Sequence, residues 1–119
     1  RGPSRSVLFL PDHDDWAQTL GRHGASSIRQ WLSDLGVDIA LLDGSFWDSS
    51  ELPGRDMSKI PHPTVTETLA RLGERVEGDA EIHFIHLNHS NPLLGPGPET
   101  EELADLGWQV AVQGQQFAL

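Results

Sequence analysis

Val7-Leu8-Phe9-Leu10-Pro11-Asp12 and Ile39-Ala40-Leu41-Leu42-Asp43-Gly44 bracket the stretch of chain that decides the fold. Each is a short, continuous apolar run that stops at a turn-forming residue beside a carboxylate. That is the pattern of a strand buried on both faces rather than a half-exposed, alternating one. Between them lies Ser27-Ile28-Arg29-Gln30-Trp31-Leu32-Ser33-Asp34-Leu35, with Ile28, Trp31, Leu32 and Leu35 at helical spacing and Gly36 as a C-terminal stop. Strand, helix and a second strand over Val37 to Leu42 predict a βαβ unit and hence an α/β domain.

Working outward, a further helix is expected to begin near Trp16, with Asp12, Asp14 or Asp15 available to cap it. Trp47 to Pro63 is polar and holds Pro53, Gly54, Pro61 and Pro63, so it reads as a long loop of the kind that carries function. It delivers His62 to a helix start, where Pro63 suits the first turn and Val65, Leu69, Leu72 and Val76 repeat on one face. Ala80 to Leu87 is a third strand candidate, ending in Asn88-His89-Ser90-Asn91-Pro92. After the Gly95-Pro96-Gly97-Pro98 loop, Glu99 to Leu106 predicts a short helix with acidic residues at its positive end and Gly107 as its stop. Val110-Ala111-Val112 and Phe117-Ala118-Leu119 read as edge strands. The chain contains no repeat and no low-complexity segment.

Its 119 residues allow one domain at most, and few for a complete α/β enzyme. The start at Arg1, without an initiator methionine and a few residues before a strand, reads as part of a larger protein. Eight Lys+Arg against 18 Asp+Glu give a formal charge of −10, a field that repels nucleic-acid phosphates and anionic membrane surfaces alike. The absence of cysteine excludes disulfides and thiolate ligands, so a metal site must be built from imidazole and carboxylate. No run approaches the roughly 20 apolar residues of a membrane span, and the N-terminus lacks the apolar core of a signal peptide. A soluble, cytoplasmic chain is expected.

Asp12, Asp43, His62 and His89 each fall at the end of an apolar run or at a helix start, where sites collect in layered α/β folds. Each has a plainer reading. Asp12 could serve as a helix cap, Asp43 opens ordinary turn chemistry with Gly44 and Ser45, and His62 sits between two prolines that shape the way into a helix. His83, His86 and His89 look like a ligand cluster, but residues of a strand alternate faces, so the three cannot all point one way. His83 shares its parity with Ile85 and Leu87, and His86 with Ile82 and Phe84; lying within the apolar strand, both read as packed, hydrogen-bonded imidazoles. His89 lies past the strand, in a turn, and is the better candidate ligand. A carboxylate at Asp43 would need a partner, and His62 can be one, because a carboxylate fixes the tautomer of an imidazole that then passes a proton to a leaving group.

Phe9-Leu10-Pro11-Asp12, Leu41-Leu42-Asp43-Gly44-Ser45-Phe46-Trp47, Gly54-Arg55-Asp56-Met57, Ile60-Pro61-His62-Pro63-Thr64-Val65 and Phe84-Ile85-His86-Leu87-Asn88-His89-Ser90-Asn91-Pro92 together resemble the C-terminal half of a metallo-β-lactamase-fold hydrolase. The resemblance covers about Val7 to Leu119 and is greatest to the branch related to pyrroloquinoline quinone biosynthesis protein B. It implies an α/β fold that is half of a four-layer αββα sandwich. It places a metal-bridging role on Asp12 and a terminal ligand role on His89, and it makes Asp43 and His62 counterparts of a proton-donor dyad in the related transfer-RNA-processing branch. The fold's His-x-His-x-Asp-His motif is absent from all 119 residues, so residues 1–119 are expected to be a partial domain.

These readings predict part of a metal-dependent hydrolase acting on a small-molecule substrate, with one or two divalent ions, zinc first and manganese or iron as alternatives. Asp12 and His89 would hold the metal, and Asp43 with His62 would protonate the leaving group. Alternatives from other classes are a non-catalytic binding or scaffold module and an iron-dependent oxidase-type role in quinone cofactor biosynthesis. Half of a sandwich leaves one sheet face bare, so a missing N-terminal half or a second copy of the chain is the expected partner, with neither nucleic acid nor membrane.

Overall fold

The computed structural model describes residues 1–119, the side chain of Met57 excepted. Strands β1 (Val7–Leu10), β2 (Ile39–Asp43), β3 (Glu81–Ile85) and β4 (Gln109–Val110) form one wholly parallel sheet in the order β1-β2-β3-β4. Helices α1 (Trp16–Arg22) and α2 (Ile28–Leu35) connect β1 to β2, α3 (Val65–Leu72) connects β2 to β3, and α4 (Pro98–Asp105) connects β3 to β4. Because strand order follows chain order, every crossover steps the same way across the sheet. Crossovers of one hand then put every helix on the same face.

The register shows which face that is. Leu8, Ala40 and Ile82 stand side by side, as do Leu10, Leu42, Phe84 and Val110. These rows pack with Trp16 and Leu20 of α1, Ile28, Trp31 and Leu32 of α2, Val65, Leu69 and Leu72 of α3, and Leu103 of α4 in a single core. Burying each such side chain contributes roughly 1.5–3 kcal/mol, which is the main stabilisation of a sheet this small. Polar contacts fix the angles between helices. The Trp16 indole donates to Thr68 across the core at 2.8 Å, and Arg29 of α2 donates to Asp79 at 2.9 Å and to the Leu72 carbonyl at the end of α3.

The opposite face carries the row Phe9, Leu41 and His83, flanked by Ile39 and Ile85. Its amino end is roofed by the chain termini: the Leu119 carbonyl accepts from the amides of Ser4 and Arg5 at 2.6 and 2.8 Å, and the Phe117 ring lies 5.0 Å from that of His83. Its carboxyl end is open, and Phe9 there is 66% exposed.

The helix boundaries follow local chemistry. Asp15, Ser27 and Thr64 cap α1, α2 and α3 by accepting from Gln18, Gln30 and Glu67 amides, and Gly36 closes α2 in the left-handed conformation. Several sequence expectations shift. Pro63 precedes the cap of α3 rather than lying in its first turn, and Gly73 ends that helix, leaving Val76 outside it and exposed. β3 stops at Ile85 because its partner β2 has run out: Asp43 opposite Ile85 is the last pair. Phe117 to Leu119 form no strand, and the Val110 to Val112 expectation reduces to the two residues of β4. Among the described residues no helix is long and apolar enough to cross a membrane.

Gly44 is where β2 meets the segment leaving β3. Its amide donates to the Ile85 carbonyl at 2.7 Å, and a Cβ added there would sit 2.9 Å from the Phe84 Cβ and 3.1 Å from that carbonyl. Gly44→Ala should therefore destabilise the fold by about 1–3 kcal/mol through overpacking, read as a lower urea midpoint with an unchanged slope.

Candidate metal centre

In an open parallel sheet, loops leaving the carboxyl ends of the strands converge, and polar residues just past those ends form clefts. Here three exits do so. Asp12 follows β1, Asp43 ends β2 with Ser45 two residues beyond it, and His86 is the first residue after β3; His62 arrives from the loop that precedes α3. Asp12 and His86, with φ of 51° and 63°, are the only non-glycine residues with positive φ among those described. Residues held in this region cost of order 1–3 kcal/mol and cluster at functional sites. The bend turns each side chain away from its strand's direction and toward the other.

Asp12, His62 and His86 each offer one ligand atom, and these atoms all lie within 4.8 Å of one another. His86 Nε2 is 3.6 Å and His62 Nε2 3.9 Å from Asp12 Oδ1. Ligands bound about 2.1 Å from one tetrahedral metal stand about 3.4 Å apart, so only small movements would seat all three on a single ion. Two imidazoles and a carboxylate also match the borderline-hard chemistry of zinc, iron or manganese, and the donor set fits a divalent metal.

Behind the donors, each Nδ1 is held. His62 Nδ1 lies 2.5 Å from Asp43 Oδ2, and His86 Nδ1 lies 3.0 Å from Ser45 Oγ. Asp43 is almost wholly buried, and its carboxylate also accepts from the His13 amide at 2.9 Å and the Ser45 amide at 2.8 Å. A cleft of about 360 Å³ opens beside His62, walled by Asp14, Ser58, Thr64 and Glu67. A larger one, about 530 Å³, lies away from these residues, among Arg29, Asp38, Asp79 and Trp108 near the amino ends of β2 and β3.

A protein from Ruegeria pomeroyi named "Coenzyme PQQ synthesis protein B" is 37% identical in an alignment 97 positions long that covers 74% of this chain and 31% of that protein. This chain is a partial homologue of Coenzyme PQQ synthesis protein B. Proteins of the same name from Cupriavidus necator and Bradyrhizobium diazoefficiens are 33% and 28% identical over 70% and 71% of the chain, covering 30% and 29% of their own lengths. The chain thus spans about a third of the length of the curated relatives it matches. No protein-family model and no solved structure matches it.

Of the residues singled out in the sequence, Asp12, Asp43 and His62 come together and His89 does not join them. His89 is exposed in the turn after His86, outside the three-donor group. His83 is buried in β3 on the far face, with both ring nitrogens lacking hydrogen-bond partners. The sequence pattern puts His86 within the strand, whereas β3 ends one residue before it. The apolar run through Leu87 concealed where the ladder ends, so parity assigned it to a face it does not occupy. Ser45 had no distinguishing signal beyond its place after Asp43-Gly44.

His13, next to Asp12, is buried against Trp16 with the ring centroids 4.3 Å apart. Burial lowers its pKa below the ordinary 6.5, against the opposing pull of Asp43, Asp15 and Asp14. Unfolded His13 therefore binds its proton at a higher pH than folded His13. The neutral ring costs nothing above pH 6.5, and stability is lost as pH falls from there toward the lowered folded value. In metal-free protein, His13→Gln should flatten the decline in urea stability between about pH 7 and pH 5 relative to wild type, and an unchanged difference across that range would refute the assignment.

Proposed function

We propose that this chain is the carboxyl-terminal α/β half of a four-layer metallo-β-lactamase-like sandwich and furnishes ligands and a proton donor to a metal-dependent hydrolase acting on a small molecule. The observation that carries the reading is the convergence of Asp12, His62 and His86 at the carboxyl end of the sheet, with Asp43 behind His62. Kinship to Coenzyme PQQ synthesis protein B supports it. In this reading Asp12 and His86 hold the metal, and remaining ligands come from the part of the family's length that lies outside these residues. A divalent ion held by such a set would supply Lewis acidity and would lower the pKa of a bound water toward neutral pH. Asp43 keeps the His62 ring turned so that Nε2 faces the reaction space, and His62 hands a proton from that atom to the leaving group. The cleft beside His62 receives the substrate.

The three-donor geometry favours one second reading. If His62 is itself a ligand, the site has two histidines and one carboxylate, the set associated with iron-dependent oxidation chemistry, and the relatives' role in coenzyme synthesis suits that chemistry. The two readings part at His62. In the complete protein, His62→Ala should lower turnover about 10²–10⁴-fold while metal content is retained if the residue is a proton donor. Loss of the metal along with activity would identify it as a ligand. Asp12→Asn and His86→Ala should each strip the metal, measured by elemental analysis, whereas His89→Ala should not. Full metal content in His86→Ala would sink the ligand set, and a metal-free wild-type protein would favour a binding or scaffold module.

The open sheet face around Phe9, Leu41 and Ile85 is, on this proposal, where the rest of the sandwich packs. Phe9→Ser should then cost the complete protein about 1.5–3 kcal/mol of urea stability and cost the 119-residue chain, where Phe9 is 66% exposed, far less. Equal effects in both would argue that this face stays bare.

A further inference from the structure

We infer that Ser45 is a positioning residue that sets the tautomer of His86 and presents its Nε2 to the metal, an inference that rests on the ligand role given to His86 above. An imidazole that binds a metal through Nε2 carries its one proton on Nδ1, and that proton needs an acceptor if the ring is to stay in place. The acceptor in reach is Ser45 Oγ, 3.0 Å from His86 Nδ1. A carboxylate does the same for His62, so the two histidines facing Asp12 are supported from one strand exit, by Asp43 and by the residue two places on.

The backbone that carries the hydroxyl is fixed on several sides. Ser45 is 4% exposed. Its amide donates to Asp43 Oδ1 at 2.8 Å, and its carbonyl accepts from the Asn88 amide at 2.9 Å. Asn91, itself buried, donates through Nδ2 to the Gly44 carbonyl at 2.7 Å. The backbone carrying Oγ is thereby tied to the backbone carrying His86. Ser45 Oγ also lies 3.4 Å from His62 Nδ1, but that nitrogen has the much nearer Asp43 carboxylate, which leaves the serine oxygen to His86. Among the described residues, Ser45 makes the one hydrogen bond to the His86 ring. Its surroundings on the other side are Asp12, 3.6 Å from Nε2, and the His62 ring, 6.0 Å away between centroids.

The test uses the complete protein, in which the ligands beyond these 119 residues are also present, with cobalt(II) and zinc(II) as probes and affinity by chelator competition as the readout. Ser45→Ala should weaken binding about 10–100-fold, the range seen when a partner behind a ligating histidine is removed, and should alter the visible spectrum of the cobalt form. Ser45→Thr, which keeps the hydroxyl, should restore most of the affinity. In a His86→Ala background, Ser45→Ala should change nothing further, because its effect passes through the missing ring. Unchanged affinity and spectrum in Ser45→Ala would overturn the inference, as would an equal loss in the His86→Ala background or a variant that fails to fold. A second readout separates this inference from the metal reading: in metal-free protein, the side-chain ¹⁵N resonances of His86 should shift in Ser45→Ala and those of His89 should not. If wild type binds neither ion, the metal reading falls and the inference with it. If it binds both while His86 resonances ignore Ser45, only the inference falls.

Discussion

The Asp43 carboxylate, buried at the end of the second strand, is the interaction on which the rest of the site depends. It accepts from the His13 amide, the Ser45 amide and the His62 ring, three donors from three separate segments. The first tie bends the chain after β1 into the conformation that carries Asp12. The second fixes the turn that carries Ser45, and the third orients His62. Burying a carboxylate is costly unless its oxygens are satisfied by such donors, so once buried it constrains all three segments together.

The sheet makes that meeting unavoidable. All four strands run the same way, so their exits share one edge, and side-chain chemistry gathers there while the amino edge is occupied by the chain termini. The same topology spends every helix on one face. One face is thus a dense aromatic and aliphatic core around Trp16, Trp31, Phe84 and Trp108, and the other is left open at its carboxyl end, beside the site, with Phe9 exposed. The site thus sits at the rim of the open part of that face.

Strain is concentrated where this chemistry lies. Asp12 and His86 leave their strands in the left-handed region, at a cost recovered in part by the bonds that the neighbouring segments make to Asp43 and Ser45. Gly44 allows the two strand exits to approach until amide and carbonyl meet, which no side chain at that position would permit without displacement.

Much of this was legible in residue order. The apolar runs Val7 to Leu10 and Ile39 to Leu42, the periodic face of Ile28, Trp31 and Leu32, and the capping chemistry of Ser27, Thr64 and Gly36 are local patterns. Local patterns specify local structure, because a buried strand shows as a short continuous apolar run and a helix as one apolar stripe. Tertiary structure alone decided where β3 ends. The run from Ala80 to Leu87 keeps apolar residues at Ile82, Phe84, Ile85 and Leu87, yet the ladder stops at Ile85 when its partner strand stops at Asp43, and that single termination turns His86 out of the sheet and toward Asp12 while His89 stays in solvent. Which histidine meets which carboxylate depends on pairing between strands about 40 residues apart, and no local spacing rule carries that information.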